Sequence, residues 1–408
     1  MFRLPTRCVS YVLTFLALTV SSADAQPSFR GVGDLAGGAF ESYAYGISGD
    51  GSTVVGMSLS ASGPEAFRWT DGDISGLGDL PDGSFESNAL GTSHDGATIV
   101  GTGRDTSGPR AVVWVNDLPT ALGCLPGAAI GGAEDVSGDG TVIVGWSDST
   151  IGEQAVLWNN GVVLALDDLS TTTFTSRAQA VSPDGQSVVG WRSPGLFSFE
   201  AFFWTGGTMT GLGFLQDGSD SQAFGISADA QYVCGYSLNS GLEAAVWHDG
   251  TVEGLGFMPG GSYSQALDAS GDGSVVVGSG DNSLGSEAFI WDAQHGIRPL
   301  RQVLIENFGL NLDEWVLEEA HAISDDGRTV AGTGRNPAGQ PEGWVAYMPP
   351  ASLESSTPAT GKSLWRSAKN TFRLRFDFDI DAPASESILI QEMLAGGAYG
   401  PNLASGFT

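Results

Sequence analysis

The chain of 408 residues combines 60 glycines and 11 tryptophans with only 16% charged residues, a composition that suits tight turns between apolar strands and excludes intrinsic disorder. Its formal net charge of −30 excludes favourable non-specific contact with nucleic acid or an anionic membrane surface.

Residues 1–25 read as a secretory signal, with Arg3 and Arg7 as a basic start, an apolar run from Val12 to Val20, and Ala23-Asp24-Ala25 as a small-residue cleavage site. That run is too short for a mature membrane span, and no later segment reaches the ~18 uninterrupted apolar residues one needs. The expectation is a soluble exported protein, secreted to the extracellular medium or the periplasm, with no transmembrane segment after cleavage. Cleavage removes Cys8 and leaves Cys124 and Cys234.

From Phe29 the chain reads G-V-G-D-L, an isolated copy of a phrase that returns as L-G-D-L (77–80), L-G-C-L (122–125), L-D-D-L (166–169), L-G-F-L (212–215), L-G-F-M (255–258) and, more weakly, L-R-Q-V (300–303). Between these copies runs a repeat built on Ser-x-Asp-(Gly or Ala)-x4-Gly. It is carried by Ser48/Asp50/Gly56, Ser93/Asp95/Gly101, Ser137/Asp139/Gly145, Ser182/Asp184/Gly190, Ser227/Asp229/Gly235, Ser270/Asp272/Gly278 and Ser324/Asp326/Gly332. Each repeat holds four strand-sized segments: an Ala-x-x-x-Ser segment (a), a Val-Val-Gly segment (b), a segment ending in Trp such as E-A-F-R-W at 65–69 (c), and the Leu-Gly-x-Leu segment (d). Asp-Gly between a and b is a tight-hairpin signal. Four short antiparallel strands in ~40–45 residues make one propeller blade.

Seven copies of a, b and c exist, yet no d segment follows the seventh; the orphan at 29–35 stands in front of the first repeat instead. Pairing it with the seventh c strand joins the chain ends and leaves no edge open. The predicted fold is therefore all-β: a seven-bladed β-propeller over residues 26–350, closed by an N-terminal outer strand. The a strands are then innermost, in keeping with Ala at their first position in all seven repeats (Ala44, Ala89, Ala133, Ala178, Ala223, Ala266, Ala320). The recurring Val, Ala and Trp positions should pack between blades, each buried Trp finding a partner for its indole N–H. Leu300 to Gly309 has the apolar spacing and Gly stop of a short helix. Residues 351–408 form a tail: a linker, a period-2 strand over 371–381 and a helix over 385–394, too small for an independent core of much stability.

The phrases A-Y-G-I-S-G-D-G-S-T-V-V-G, E-A-F-R-W and G-L-G-D-L, in that order, resemble the extracellular repeats of the HAF family of exported bacterial proteins. The resemblance covers residues 29–348 and implies secretion without implying an activity.

Each candidate for chemistry has a structural alternative beside it. The repeated Asp can be read as a calcium ligand, but calcium takes six to eight oxygens, and one carboxylate holding its own turn is the simpler reading. The repeated Glu (Glu65, Glu200, Glu243, Glu287, Glu342) reads as a strand-edge acceptor or as part of a carboxylate ring. Asp135 and Asp268 stand at a small-residue position near the axis, where they can share an ion or a buried water. The second position of strand a varies as Tyr45, Leu90, Glu134, Gln179, Phe224, Leu267 and His321, and faces either blade packing or a ligand mouth. Phe197 and Phe199 are the clearest aromatic departures on a loop. The four His fall at unlike positions and suggest neither a zinc site nor a triad. Cys124 and Cys234, in the second and fifth blades, lie too far apart for the ~6 Å Cα separation of a disulfide. The sequence thus predicts a non-catalytic, monomeric ring that acts through its propeller loops as a binding or structural module for an extracellular glycan or protein, without a cofactor. The alternatives are a propeller enzyme acting on polysaccharide and an assembly role for the tail.

Overall fold

The computed structural model describes residues 26–350 except 151, 167–174, 196–197 and 284. The chain divides into two units, Met1–Pro349 and Pro350–Thr408. The expected signal, the tail with its strand and helix, and Phe197 lie outside the described residues.

Seven four-stranded antiparallel sheets are present, six of them built from consecutive strands in the order a-b-c-d. Blade 1 shows the plan: a is Gly37–Ile47, b is Thr53–Ser60, c is Gly63–Thr70 and d is Asp73–Gly76. In blade 7, strands Val316–Ile323, Thr329–Arg335 and Pro341–Tyr347 are completed by Ser28–Gly31 from the start of the chain. The register is Ser28↔Tyr347, Phe29↔Ala346, Arg30↔Val345 and Gly31↔Trp344. The a strands neighbour one another all the way round, blade 7 against blade 1 included, so the ring is closed. No helix of the described residues is long and apolar enough to cross a membrane.

The core is divided among the seven clefts between blades, each filled by its own apolar cluster. Between blades 1 and 2, for example, Val55, Ala66 and Leu77 meet Ala89, Ile99, Val112 and Trp114. The short helix Leu300–Glu306 buries Leu300, Val303 and Leu304. These join the cluster between blades 6 and 7.

Three expectations are corrected. The Leu-Gly-x-Leu phrase is mostly the loop that leaves the outer strand. Its first Leu still donates a backbone bond to strand c, as Leu77 N does to Ala66 O at 2.8 Å, but the following Gly78 takes φ +72° and turns the chain back toward the axis. The weak copy at 300–303 is the first turn of the helix instead. The a–b connection is not a two-residue hairpin but a five-residue loop: Ser48 Oγ donates to Asp50 Oδ1 and accepts from Thr53 N, while Asp50 Oδ1 accepts from Ser52 N. Finally, the indoles are only partly satisfied. Trp158 Nε1 donates to Gly123 O and Trp344 Nε1 to Thr333 O, whereas Nε1 of Trp69, Trp114 and Trp247 is buried without an acceptor among the described residues. Trp69, Trp114 and Trp247 all lie in the apolar clusters between blades.

Candidate functional site

The a strands surround the ring axis, and the wall they form is set by one device. In every blade the a–b register slips by one residue, between Ala44 and Gly46 in blade 1 and at the equivalent place elsewhere, so the second position of strand a is a β-bulge. The bulge explains the invariant Gly of strand b. A Cβ on Gly56 would lie 1.9 Å from Tyr43 O, and one on Gly145 would lie 2.1 Å from Gly132 O. Tyr45, Leu90, Glu134, Gln179, Phe224, Leu267 and His321 are therefore the seven bulge residues, and all are half-buried along the inner edge of the ring.

Toward the a–b loops lies a cavity of about 120 Å³, walled by residues that include Ile47, Thr92, Val136, Val181, Ile226, Ala269 and Ile323. Backbone bonds tie neighbouring blades here: Asp50 N donates to His94 O, His94 N to Gly138 O, Gly138 N to Pro183 O, Ala228 N to Gly271 O, Gly271 N to Asp325 O and Asp325 N to Gly49 O. The remaining junction, between blades 4 and 5, falls at Pro183, which has no N–H to give. Gly49 leaves room for His94 Nδ1 of blade 2 to reach Asp325 Oδ2 of blade 7 at 2.9 Å; a Cβ at position 49 would stand 2.3 Å from that nitrogen.

Asp135 and Asp268 line this cavity. Neither is held by an ion pair. Asp135 accepts from its own neighbour Val136 N at 2.7 Å and from Val181 N of blade 4 at 2.9 Å, and Asp268 accepts from Ala269 N and from Ile323 N of blade 7, both at 2.8 Å. Each is a staple between two blades. Protein encloses both except on the tunnel side, and this desolvation pushes their carboxyls up, to about 6 for Asp135 and about 7 for Asp268, despite the N–H donors that favour the ionised form.

At the end opposite the a–b loops, half-buried aromatic and amide side chains stand on strands a and b. Tyr45 stacks beside Tyr43 and meets the edge of His321 at 5.5 Å. Phe224 packs on Tyr236 at 5.9 Å, and Phe199 meets Trp191 edge-on at 5.0 Å while its N–H donates to Asp220. Arg177 lies over the Trp146 ring at 4.9 Å and pairs with Glu153 at 3.0 Å and with Glu134 at 3.5 Å. Burial raises the Glu134 carboxyl, and the Arg177 guanidinium partly offsets it. Burial also carries the Tyr45 phenol to about 12. Of the expected site residues, Tyr45 and His321 thus share one sector, while Glu134, Gln179, Phe199 and Phe224 belong to blades 3 to 5. Asp135 and Asp268 stand apart, in the cavity toward the a–b loops. Sequence reasoning passed over Trp146, Trp191 and Tyr236, which occupy one position, immediately after the Gly of strand b, in three successive blades; Met57, Thr102, Ser279 and Thr333 hold it elsewhere, and that contrast was the available signal.

The arrangement resembling an acid–base relay fails on geometry. Glu319 Oε2 lies 3.1 Å and Thr333 Oγ1 3.4 Å from the same His321 nitrogen, Nε2, so the imidazole cannot pass a proton from one side to the other. The hydrogen bond from His321 holds the Glu319 carboxyl below its usual range. The repeated Asp is spent on its turn in each blade, and no group of three metal-ligating side chains occurs among the described residues. The repeated Glu is a strand-edge acceptor: Glu65 takes Gly78 N, Glu243 takes Gly256 N and Glu342 takes Gly33 N. Cys124 and Cys234 are free thiols, Cys234 fully buried.

Fold and tunnel together define a closed seven-bladed β-propeller. No family model and no curated protein matches the chain. Among solved structures, an oligogalacturonate lyase from Vibrio parahaemolyticus is similar at 10% identity with a TM-score of 0.53, over 80% of this chain and 98% of that one. TolB from Acinetobacter baumannii is similar at 16% identity and a TM-score of 0.45; the match covers 61% of this chain and 63% of TolB, less than two thirds of that structure's length. The β-propeller domain of a trilobed protease from Pyrococcus furiosus is similar at 10% identity and a TM-score of 0.47, over 74% of this chain and 95% of that domain. At these identities the likeness is one of fold.

Proposed function

We propose that this chain is an exported, HAF-type, non-catalytic binding module that receives an extracellular glycan or protein at the mouth of its tunnel opposite the a–b loops. One observation carries the reading: the acids and the histidine that chemistry would need are committed to turns, strand edges and blade-to-blade bonds, whereas half-buried aromatic and amide side chains collect at the mouth. Residues 1–25 support export, and recovery of the protein from culture medium or periplasm with Gln26 as its first residue tests it.

The binding role is tested on residues 26–408 by thermal unfolding with polysaccharides, peptides, calcium and EDTA, beside an assay for chain cleavage of each polysaccharide. A ligand at 100 times its Kd stabilises the native state by about 2.7 kcal/mol. A rise in Tm without products supports the reading; products refute it. The enzyme alternative draws support from Asp135 and Asp268, whose carboxyls are pushed into the range of a general acid or base. Loss of product formation in Asp135→Asn and Asp268→Asn is its mark.

A further inference from the structure

The chemistry of the mouth narrows the ligand class, resting on the binding role proposed above. Three half-buried aromatic side chains, Trp146, Trp191 and Tyr236, stand at one position in blades 3, 4 and 5. Their partners on the inner strands are Gly132, Arg177 and Gln222. Charged groups in this sector are already bonded: Arg177 to Glu153 and Glu134, Arg192 to Glu200 at 2.6 Å, and Asp220 to the Phe199 N–H. An anionic ligand finds no free guanidinium there, and four carboxylates against two guanidiniums repel it. A cationic ligand at Glu134, Glu153 or Glu200 would have to displace a bonded arginine, at the cost of leaving a desolvated charge without its partner; Asp220, whose Oδ1 is buried without a partner among the described residues, is disfavoured in its charged form by desolvation. The side chains of Gln179 and Gln222, by contrast, have no hydrogen-bond partner among the described residues. Each amide offers both donors and an acceptor.

We infer that the mouth formed by blades 3 to 5 binds an uncharged, hydroxyl-rich glycan, its sugar faces lying against Trp191 and Tyr236 and its hydroxyls bonded to Gln179 and Gln222. A sugar ring suits this surface because its C–H faces are apolar while its rim both donates and accepts, the same division that the aromatic rings and the free amides present.

The test is affinity electrophoresis of residues 26–408 in native gels containing hydroxyethylcellulose, galactomannan or dextran, with polygalacturonate and chitosan as the anionic and cationic counterparts. The expected result is retardation by at least one neutral polysaccharide. It should weaken about tenfold or more in Trp191→Ala, as for an aromatic anchor of a binding surface. The Gln179→Ala/Gln222→Ala double variant should weaken it as well, while Leu118→Ala on the outer rim leaves it unchanged. The double variant leaves both aromatic side chains in place, so it decides the matter if Trp191→Ala fails to fold by circular dichroism. Retardation by polygalacturonate or chitosan alone, lost in the same variants, overturns the neutral class and leaves the binding role standing. No retardation in any gel, or retardation that both variants preserve, overturns the inference; the binding role is then judged by the thermal panel, which includes peptides.

Discussion

Raising the pH from 5 to 8 should destabilise the propeller, and Asp268 is the main reason. Its carboxyl ionises near 3.8 in the unfolded chain and near 7 in the ring, so across that interval the folded state holds a proton that the unfolded state has released. Stability then falls with rising pH, at about 1.4 kcal/mol per pH unit for each such group. The contribution is fully present below pH 3.8 and lost by about pH 7. From pH 5 upward Asp268 accounts for about 3 kcal/mol and Asp135, which ionises near 6, for about 1 more; both face the water-accessible tunnel, so these figures are upper bounds. Urea unfolding of residues 26–408 at pH 5, 6, 7 and 8 reads the slope. Asp268→Asn loses one acceptor for the N–H of Ile323 or Ala269, which lowers stability at every pH, but it should flatten the decline by roughly half or more. Asp135→Asn/Asp268→Asn should remove most of it. An unchanged slope in the double variant would refute the assignment of these two staples as the titrating groups.

Other perturbations probe the repeat itself. Glu342→Ala leaves Gly33 N and Asn336 Nδ2 without their shared acceptor at the junction of the chain ends, and should cost about 1–3 kcal/mol in urea unfolding. Ala230 occupies φ +55° where six other blades have Gly after the repeated Asp, so Ala230→Gly should stabilise by roughly 0.5–1 kcal/mol, read as a higher urea midpoint. Burial pushes the Cys234 thiol well up, so a thiol reagent should modify Cys124 in the native protein and reach Cys234 only after denaturation. A reagent count of zero in the denatured, unreduced protein would mean a disulfide and would overturn the blade order.

Much of the architecture was readable because a repeat states its own geometry several times. The surplus of one d segment at the front, residues 29–35, already implied the closure that Ser28–Gly31 makes with Pro341–Tyr347. The turn role of Ser48 and Asp50 was equally local, since donor and acceptor lie within five residues. Other features were hidden. Leu-Gly-x-Leu looked like a strand because its apolar residues are buried, Leu77 to 2% exposure, yet burial alone does not distinguish a strand from a loop tucked under the next blade. Asp135 and Asp268 looked like ion ligands because they are acids at a small-residue position near the axis, and their own repeats supply only the next backbone N–H as a donor. Their second donors, Val181 and Ile323, stand 46 and 55 residues away.

The division follows the range of the interactions. The sequence by itself determined the strand pattern, the number of blades, the loop chemistry and the closing strand, all of which depend on periodicity and on neighbours within one repeat. Only the tertiary structure decided which departures from the repeat meet: that Tyr45 touches His321 across the junction of blades 1 and 7, that Arg177 covers Trp146, and that His94 reaches Asp325 over Gly49. Those contacts form between blades, where distance along the chain carries no information and the curvature of the closed ring sets which side chains share a cleft.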